Sequence, residues 1–249
     1  MPNNNESIGI ATEVAIAKTY NVDMNPKYAL RAETGICDFL LSGDYIRKIF
    51  EMEHIPAPIK HIAEGQNPID FILENNKTLS VKSNQNQLGK AAPQHIGQPT
   101  NQTYFNFIEK ENIIPGFKLE TYLSKNNLLD TEENRKLVFK MISIEYIDLL
   151  INMYWKNIFE CDYLLLMYNL ENKACPINNY RLFGKYGQLP RWNKESFSFT
   201  RQLNNWNEST TLKYGGISIG EFQVHNHRNC LKFRFIMKGI MQLLDLNLI

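Results

Sequence analysis

Cysteines are few and far apart. Cys37, Cys161, Cys175 and Cys230 form no CxxC pair, which speaks against a zinc ribbon or a disulfide framework and for reduced, buried thiols. Long apolar runs are also missing. The longest, residues 163–168, falls far short of the roughly 20 residues that a membrane helix needs. The opening Met-Pro-Asn-Asn-Asn-Glu has neither the basic nor the apolar region of a signal peptide, so a cytoplasmic location and no membrane contact are expected. Charge of one sign is absent too. With 27 Lys and Arg against 26 Asp and Glu the formal balance is +1, and contact with an acidic polymer would require positive charge concentrated locally. No repeat, linker or low-complexity tract divides the 249 residues. The sequence therefore reads as one domain, residues 1–249, long enough for a substantial core.

What is present alternates between helical and strand periods. Ile8, Ala11, Ala15, Ile16 and Tyr20 recur at helical spacing and predict an amphipathic helix over residues 7–20. Glu13 lies off its most apolar stripe, either as a solvated glutamate or at the edge of a cleft. A loop around Pro26 follows, then a helical stretch over residues 34–50 that Gly43 interrupts, and a short helical turn at residues 60–63. Thr131-Glu132-Glu133 is a good helix start, with a capping hydroxyl and acids in the first turn. The apolar period then continues to about Asn157 and predicts the longest helix of the chain. The apolar run at residues 162–169 suits a strand buried on both faces. Strands are also expected at residues 217–224 and 230–235, with a polar turn between them and an apolar helix over residues 237–246. The class is α/β: a central mixed β-sheet flanked by helices.

The hairpin formed by residues 69–73 and 78–83 brings an acid, Asp70, and a cation, Lys82, into one supersecondary unit. Carboxylate oxygens suit hard metal ions, and a lysine beside them can hold a water or neutralise phosphate charge. A surface hairpin with incidental charges is the alternative. Parity separates the two. Opposed residues of an antiparallel pair share a face, and side chains alternate along a strand. A regular two-residue Asn75-Asn76 turn would pair Asp70 with Val81 and put Lys82 on the wrong side. A shared face for Asp70 and Lys82 requires an odd turn or a bulge, and that is the expectation.

An inward glutamate on a first helix (Glu13), then Pro68-Ile69-Asp70 opening one strand and Ser80-Val81-Lys82 closing the next, with a helix to follow, resembles the PD-(D/E)xK nucleases. The type II restriction endonuclease branch fits best. Asn25-Pro26-Lys27-Tyr28, Ala92-Pro93-Gln94-His95-Ile96-Gly97-Gln98 and Gly220-Glu221-Phe222-Gln223-Val224-His225 also look like restriction-enzyme phrases. The chain departs from the family at Ser80, where a second acid usually stands. By resemblance, Asp70, the Val81 carbonyl and Glu13 as replacement acid would hold Mg²⁺, with Glu64 a lesser substitute. Ser80 would occupy the vacant acid position, and Lys82 would orient or deprotonate the attacking water. The resemblance further implies hydrolysis of double-stranded DNA at a short specific sequence, 5′-phosphate ends, a homodimer on a palindromic site, and a partner DNA methyltransferase in the cell.

Reading DNA needs cations near phosphates and side chains that pair with base edges. Asn226, His227, Arg228, Asn229, Lys232 and Arg234 offer both, or form a solvated hairpin with an ordinary edge charge pair, and alternation puts Lys232 and Arg234 on one strand face. Gln94, His95 and Gln98 follow the catalytic hairpin as a second polar group, or simply as a capped loop. The stretch from Tyr180 to Trp206 interleaves Arg181, Lys185, Arg191, Lys194 and Arg201 with aromatics, either as a binding surface or as a loop pinned by its rings. Recognition is thus expected within about residues 172–236. His225-Asn226-His227 spells HNH, but three consecutive residues in an extended chain cannot converge on a metal. Two rivals stand beside the restriction enzyme: a repair nuclease of the same fold that cuts by structure, and a non-catalytic DNA-binding protein on a decayed nuclease fold.

Overall fold

The computed structural model describes residues 5–32, 41–63, 67–84, 88–93, 95–159, 161–170, 180–184 and 190–249. Ile36, Cys37, Leu40, Glu64, Gln94, Cys175, Lys185 and Tyr186 lie outside the described residues. Along the chain run α1 (Asn5–Tyr20), α2 (Pro26–Ala29), α3 (Gly43–Met52), β1 (Pro58–His61), β2 (Phe71–Leu73), β3 (Thr78–Ser83) and β4 (Lys90–Ala91). The helices α4 (Asn101–Lys110), α5 (Leu119–Lys125), α6 (Glu132–Glu145) and α7 (Ile147–Ile158) follow, then β5 (Tyr163–Met167) and β6 (Tyr180–Gly184). The chain continues with β7 (Phe197–Phe199), β8 (Ser209–Tyr214), β9 (Ile217–Val224), β10 (Leu231–Ile236) and α8 (Met237–Asp245). These elements form two compact units, Met1–Gly89 with Phe159–Gly187, and Lys90–Ile158 with Gln188–Ile249.

The first unit is built on a mixed sheet in the order β1-β2-β3-β5-β6. β3 and β5 are parallel and the other neighbours antiparallel. Phe71, Leu73, Leu79, Val81, Leu165 and Met167 form a buried cluster with Ile8, Ala11, Ile16 and Ala17 of α1 and Ile46, Ile49 and Phe50 of α3. The opposite side of β5 is also buried, at Leu164 and Leu166, as its unbroken apolar run requires. Asp162 ties the parallel pair at its start, where its Oδ2 accepts from the Thr78 N–H and hydroxyl at 3.0 and 2.8 Å.

The second unit carries an antiparallel sheet in the order β4-β10-β9-β8-β7. Strict alternation buries Leu231, Phe233 and Phe235 of β10 and leaves Lys232 and Arg234 half-buried on the other face. The buried side meets rings from α6 and α7. Tyr154 stacks on Phe233 with centroids 4.0 Å apart, and Phe139 and Trp155 approach Phe222 and Phe235 edge-on.

Three local expectations are corrected. The single long helix from residue 131 is two, because Tyr146 leaves the helical region (φ −119°, ψ 34°) and its carbonyl starts α7 by accepting from Leu149 and Leu150. The apolar period runs through the break because both helices bury the same stripe, and α1, with 16 residues, is longer than either. Residues 60–63 form no helical turn. His61 belongs to β1, which pairs with β2 through a bulge, and so short a segment carries no period from which to read its partner. Gly43 does not interrupt a helix but begins α3 behind the capping Ser42; the earlier part of that expected helix, residues 33–40, lies outside the described residues.

The approach of α8 to β9 depends on Gly239, where an added Cβ would lie 1.9 Å from the Ser218 carbonyl oxygen. Since backbone cannot yield as a flexible side chain does, Gly239→Ala is expected to destabilise the protein by about 1–3 kcal/mol, read as a lowered midpoint in urea with unchanged slope.

Candidate active site

Phe71 pairs with Leu79 and Ile72 with Thr78, so the turn between β2 and β3 is the three-residue Glu74–Asn76 segment. It is odd, as the parity condition demands. Asn75 and Asn76 take the left-handed conformation (φ 61° and 59°) that closes it, which asparagine adopts more readily than most residues. The Asp70 N–H donates to the Leu79 carbonyl at 3.0 Å, and the Ser80 hydroxyl donates to the Asp70 carboxylate at 3.2 Å, which puts Asp70 on the face of Ser80. Lys82, two residues on, therefore shares the face of Ser80 and Asp70.

Asp70 is held on three sides. Its own carbonyl accepts from the Ile62 N–H at 2.9 Å, while its Oδ2 accepts from the Val81 N–H at 2.5 Å and the Ser80 hydroxyl at 3.2 Å. Burial pushes its carboxyl up to about 6; the Lys82 charge pulls against this, and the Glu13 charge adds to it. Ser80, buried at the usual place of the second acid, thus serves Asp70 as a donor.

Glu13 enters from α1 and is also buried. Its Oε2 lies 2.8 Å from His61 Nε2 and accepts from the Tyr28 hydroxyl at 3.0 Å. A carboxylate oxygen accepts, so the imidazole donates from Nε2. Burial, and secondarily Glu13, raises the Tyr28 phenol well above its ordinary range. The His61 ring packs edge-on against Phe71 and tilted against Tyr28, both at 5.1 Å between centroids.

Glu13, Asp70, Ser80, Val81 and Lys82, expected together from the sequence, thus meet in the first unit, joined by Tyr28 and His61. Tyr28 stood in a noticed phrase without a role. His61 carried no signal, because its segment showed no strand pattern. Among the described residues no group of three His, Cys, Asp or Glu side chains is placed to hold a metal ion. The donor chemistry nonetheless suits a hard divalent cation. Two buried carboxylates repel one another, each has one oxygen engaged by protein donors, and the Val81 carbonyl belongs to the residue whose N–H binds Asp70.

The polar residues expected to read DNA lie in the second unit, and two of their stretches meet there. Leu231 and Phe233 N–H groups donate to the Pro99 and Gly97 carbonyls at 3.0 Å each, laying residues 97–99 beside β10. His95, Gln98, Asn226, His227, Arg228 and Asn229 are exposed around this junction. Asn229 Oδ1 also accepts from the Asn101 N–H at 2.9 Å, which commits part of that side chain to the start of α4. Arg234 pairs with Glu221, which Lys90 also approaches at 2.9 Å, so its charge is partly spent within the sheet. Burial and the nearby Arg234 charge lower the Lys232 ammonium. Arg181 lies in the first unit on β6, while Lys194 donates to the Glu145 carbonyl at 2.7 Å.

Over 187 residues the chain is 28% identical to the type II restriction enzyme CviAII of Paramecium bursaria Chlorella virus 1. It is a distant relative of a restriction enzyme. The match covers 74% of this chain but 46% of that protein, so the chain spans about half the length of the curated relative it matches. No protein-family model matches the chain, and no solved structure matches it. No described helix is long and apolar enough to cross a membrane.

The raised Asp70 carboxyl has a consequence for stability. Between the ordinary carboxylate range and about pH 6 the folded chain binds more protons at this site than the unfolded chain. Stability of the metal-free protein therefore falls as pH rises through that window, by about 3 kcal/mol at most. Asp70→Asn removes the buried charge while keeping an acceptor for Val81. It is expected to raise the melting temperature of the metal-free protein at pH 8, with the gain gone at pH 4.

Proposed function

We propose that the chain is a type II restriction endonuclease that hydrolyses phosphodiester bonds of double-stranded DNA at a short specific sequence, requires Mg²⁺ and leaves 5′-phosphates. The observation that carries the proposal is the odd β2–β3 turn, which puts Asp70 and Lys82 on one face beside the buried Glu13. The similarity to CviAII points the same way. We take residues 1–249 as one nuclease domain of the PD-(D/E)xK kind, its two compact units serving catalysis and recognition.

Asp70, Glu13 and the Val81 carbonyl would hold the magnesium. When bound, the ion supplies positive charge to the scissile phosphate and lowers the pKa of water. The protein's own groups do the rest. Lys82 holds the attacking water in line and takes or steadies its proton, as that water bonds to phosphorus and the bond to the 3′ oxygen breaks. Ser80 and the Val81 N–H keep the Asp70 carboxylate aimed while charge develops. His95, Gln98, Asn226, His227, Arg228 and Asn229, and behind them Lys232 and Arg234, would contact bases and phosphates; Gln94 belongs to the same phrase. A homodimer would match a palindromic site, a DNA methyltransferase would protect the host's own copies, and the enzyme would act in the cytoplasm.

One observation favours a second reading, a DNA-binding protein on a decayed nuclease fold: no three-ligand acidic group occurs among the described residues. Digestion of a sequenced plasmid with Mg²⁺, followed by mapping of the ends, separates the two. Discrete fragments with 5′-phosphates at one repeated sequence are expected. Scattered, structure-dependent cuts would instead indicate a repair nuclease, and intact plasmid with Mg²⁺ and with Mn²⁺ a binding module. Lys82→Ala is expected to slow cleavage by roughly 100-fold or more while leaving DNA retention in a gel-shift experiment unchanged. Cleavage by that variant at the wild-type rate would remove Lys82 from the mechanism.

A further inference from the structure

The acid absent at Ser80 has to be replaced from elsewhere, and a replacement carried on a separate helix faces a problem of precision. Glu13 reaches the site from α1, whereas Asp70 is fixed by the sheet. Ligand carboxylates must be held to within a fraction of an ångström to bind a small divalent ion well, and outer groups that donate to them supply that precision. The Asp70 carboxylate has such donors in Ser80 and the Val81 N–H, and Glu13 has its own. Consecutive residues of one segment touch both acidic residues: the His61 side chain donates to Glu13 Oε2, and the Ile62 N–H donates to the main-chain carbonyl of Asp70.

The His61 ring is itself locked. It lies opposite Phe71 in the β1–β2 ladder and packs against that ring, which follows Asp70 in sequence. Tyr28 closes the other side, its ring tilted against His61 and its hydroxyl donating to the same Glu13 oxygen. Two donors on Oε2 fix both the place and the rotation of the carboxylate and leave Oε1 for another partner. The side chains of His61 and Glu13 are only 1% and 7% exposed, so water does not compete freely for these bonds.

We propose that His61 and Tyr28 are positioning residues that present Glu13 as the second carboxylate ligand of a divalent cation at Asp70. The inference rests on the nuclease reading only in taking the two acids as ligands. It assigns the task of the missing second acid to three residues from α1, α2 and β1, in place of one residue on β3.

The test is Mn²⁺ binding to the full chain without DNA, read from the electron paramagnetic resonance of the free ion. His61→Ala is expected to weaken Mn²⁺ binding by roughly 10–100-fold and Tyr28→Phe by a smaller factor, with His61→Gln, which keeps a donor, recovering part of the loss. In a Glu13→Gln background the same substitutions should cost no further affinity. In cleavage assays the His61 and Tyr28 variants should need more Mg²⁺ but approach the wild-type rate at saturation. Thermal unfolding in chelator identifies any variant that fails to fold, and Tyr28→Phe, which removes one hydroxyl from a half-buried site, then carries the test. Unchanged Mn²⁺ affinity, or equal losses with and without Glu13, overturns the positioning role while a cutting wild-type enzyme keeps the nuclease reading. Wild-type protein that binds Mn²⁺ no better than Asp70→Asn overturns both.

Discussion

The arrangement of the candidate site depends on a hydrogen bond between the Val81 N–H and a carboxylate oxygen of Asp70. That bond goes with a turn between β2 and β3 of an odd number of residues, which brings the Asp70 carboxylate to the face of Ser80. From this one register follow the shared face of Asp70 and Lys82, the inward Ser80 hydroxyl and the direction of the Val81 carbonyl. The bond also compensates part of the cost of burying a carboxylate, since hydrogen bonds to charged groups contribute about 1.5–3 kcal/mol each.

The compensation is incomplete, and that incompleteness is what gives the site its chemistry. Two carboxylates are buried within reach of one another, and a single ammonium, that of Lys82, pulls against the burial of Asp70. Folding energy is spent keeping this excess of negative charge in place, drawn from the apolar cluster of α1, α3 and the sheet. Strain of this kind is familiar where a protein is built to take up a charge it does not itself possess.

Much of this was legible in the sequence, for identifiable reasons. β3 and β5 carry periods of two and of an unbroken apolar run, and parity alone limited which turns could bring Asp70 and Lys82 together. Glu13 stood at a recognisable place on an amphipathic helix. His61 did not, because β1 is four residues long and pairs through a bulge. Nothing local distinguishes such an edge strand from a loop, and only the partner strand decides. The break at Tyr146 was hidden for the opposite reason: the apolar period persists when two helices bury the same stripe. The joining of residues 97–99 to β10 was also out of reach, since it is made by backbone groups, which carry no sequence signature.

The first unit is discontinuous along the chain. Thr78 and Asp162, the residues that pin the parallel strands together, are 84 positions apart. A chain emerging from the ribosome therefore presents Glu13, Asp70 and Lys82 early, yet the sheet that carries Asp70 and Lys82 lacks β5, the parallel partner of β3, until all of α4 to α7 has been made. Glu13, Asp70 and Lys82 are synthesised first, and the sheet beside them is completed late.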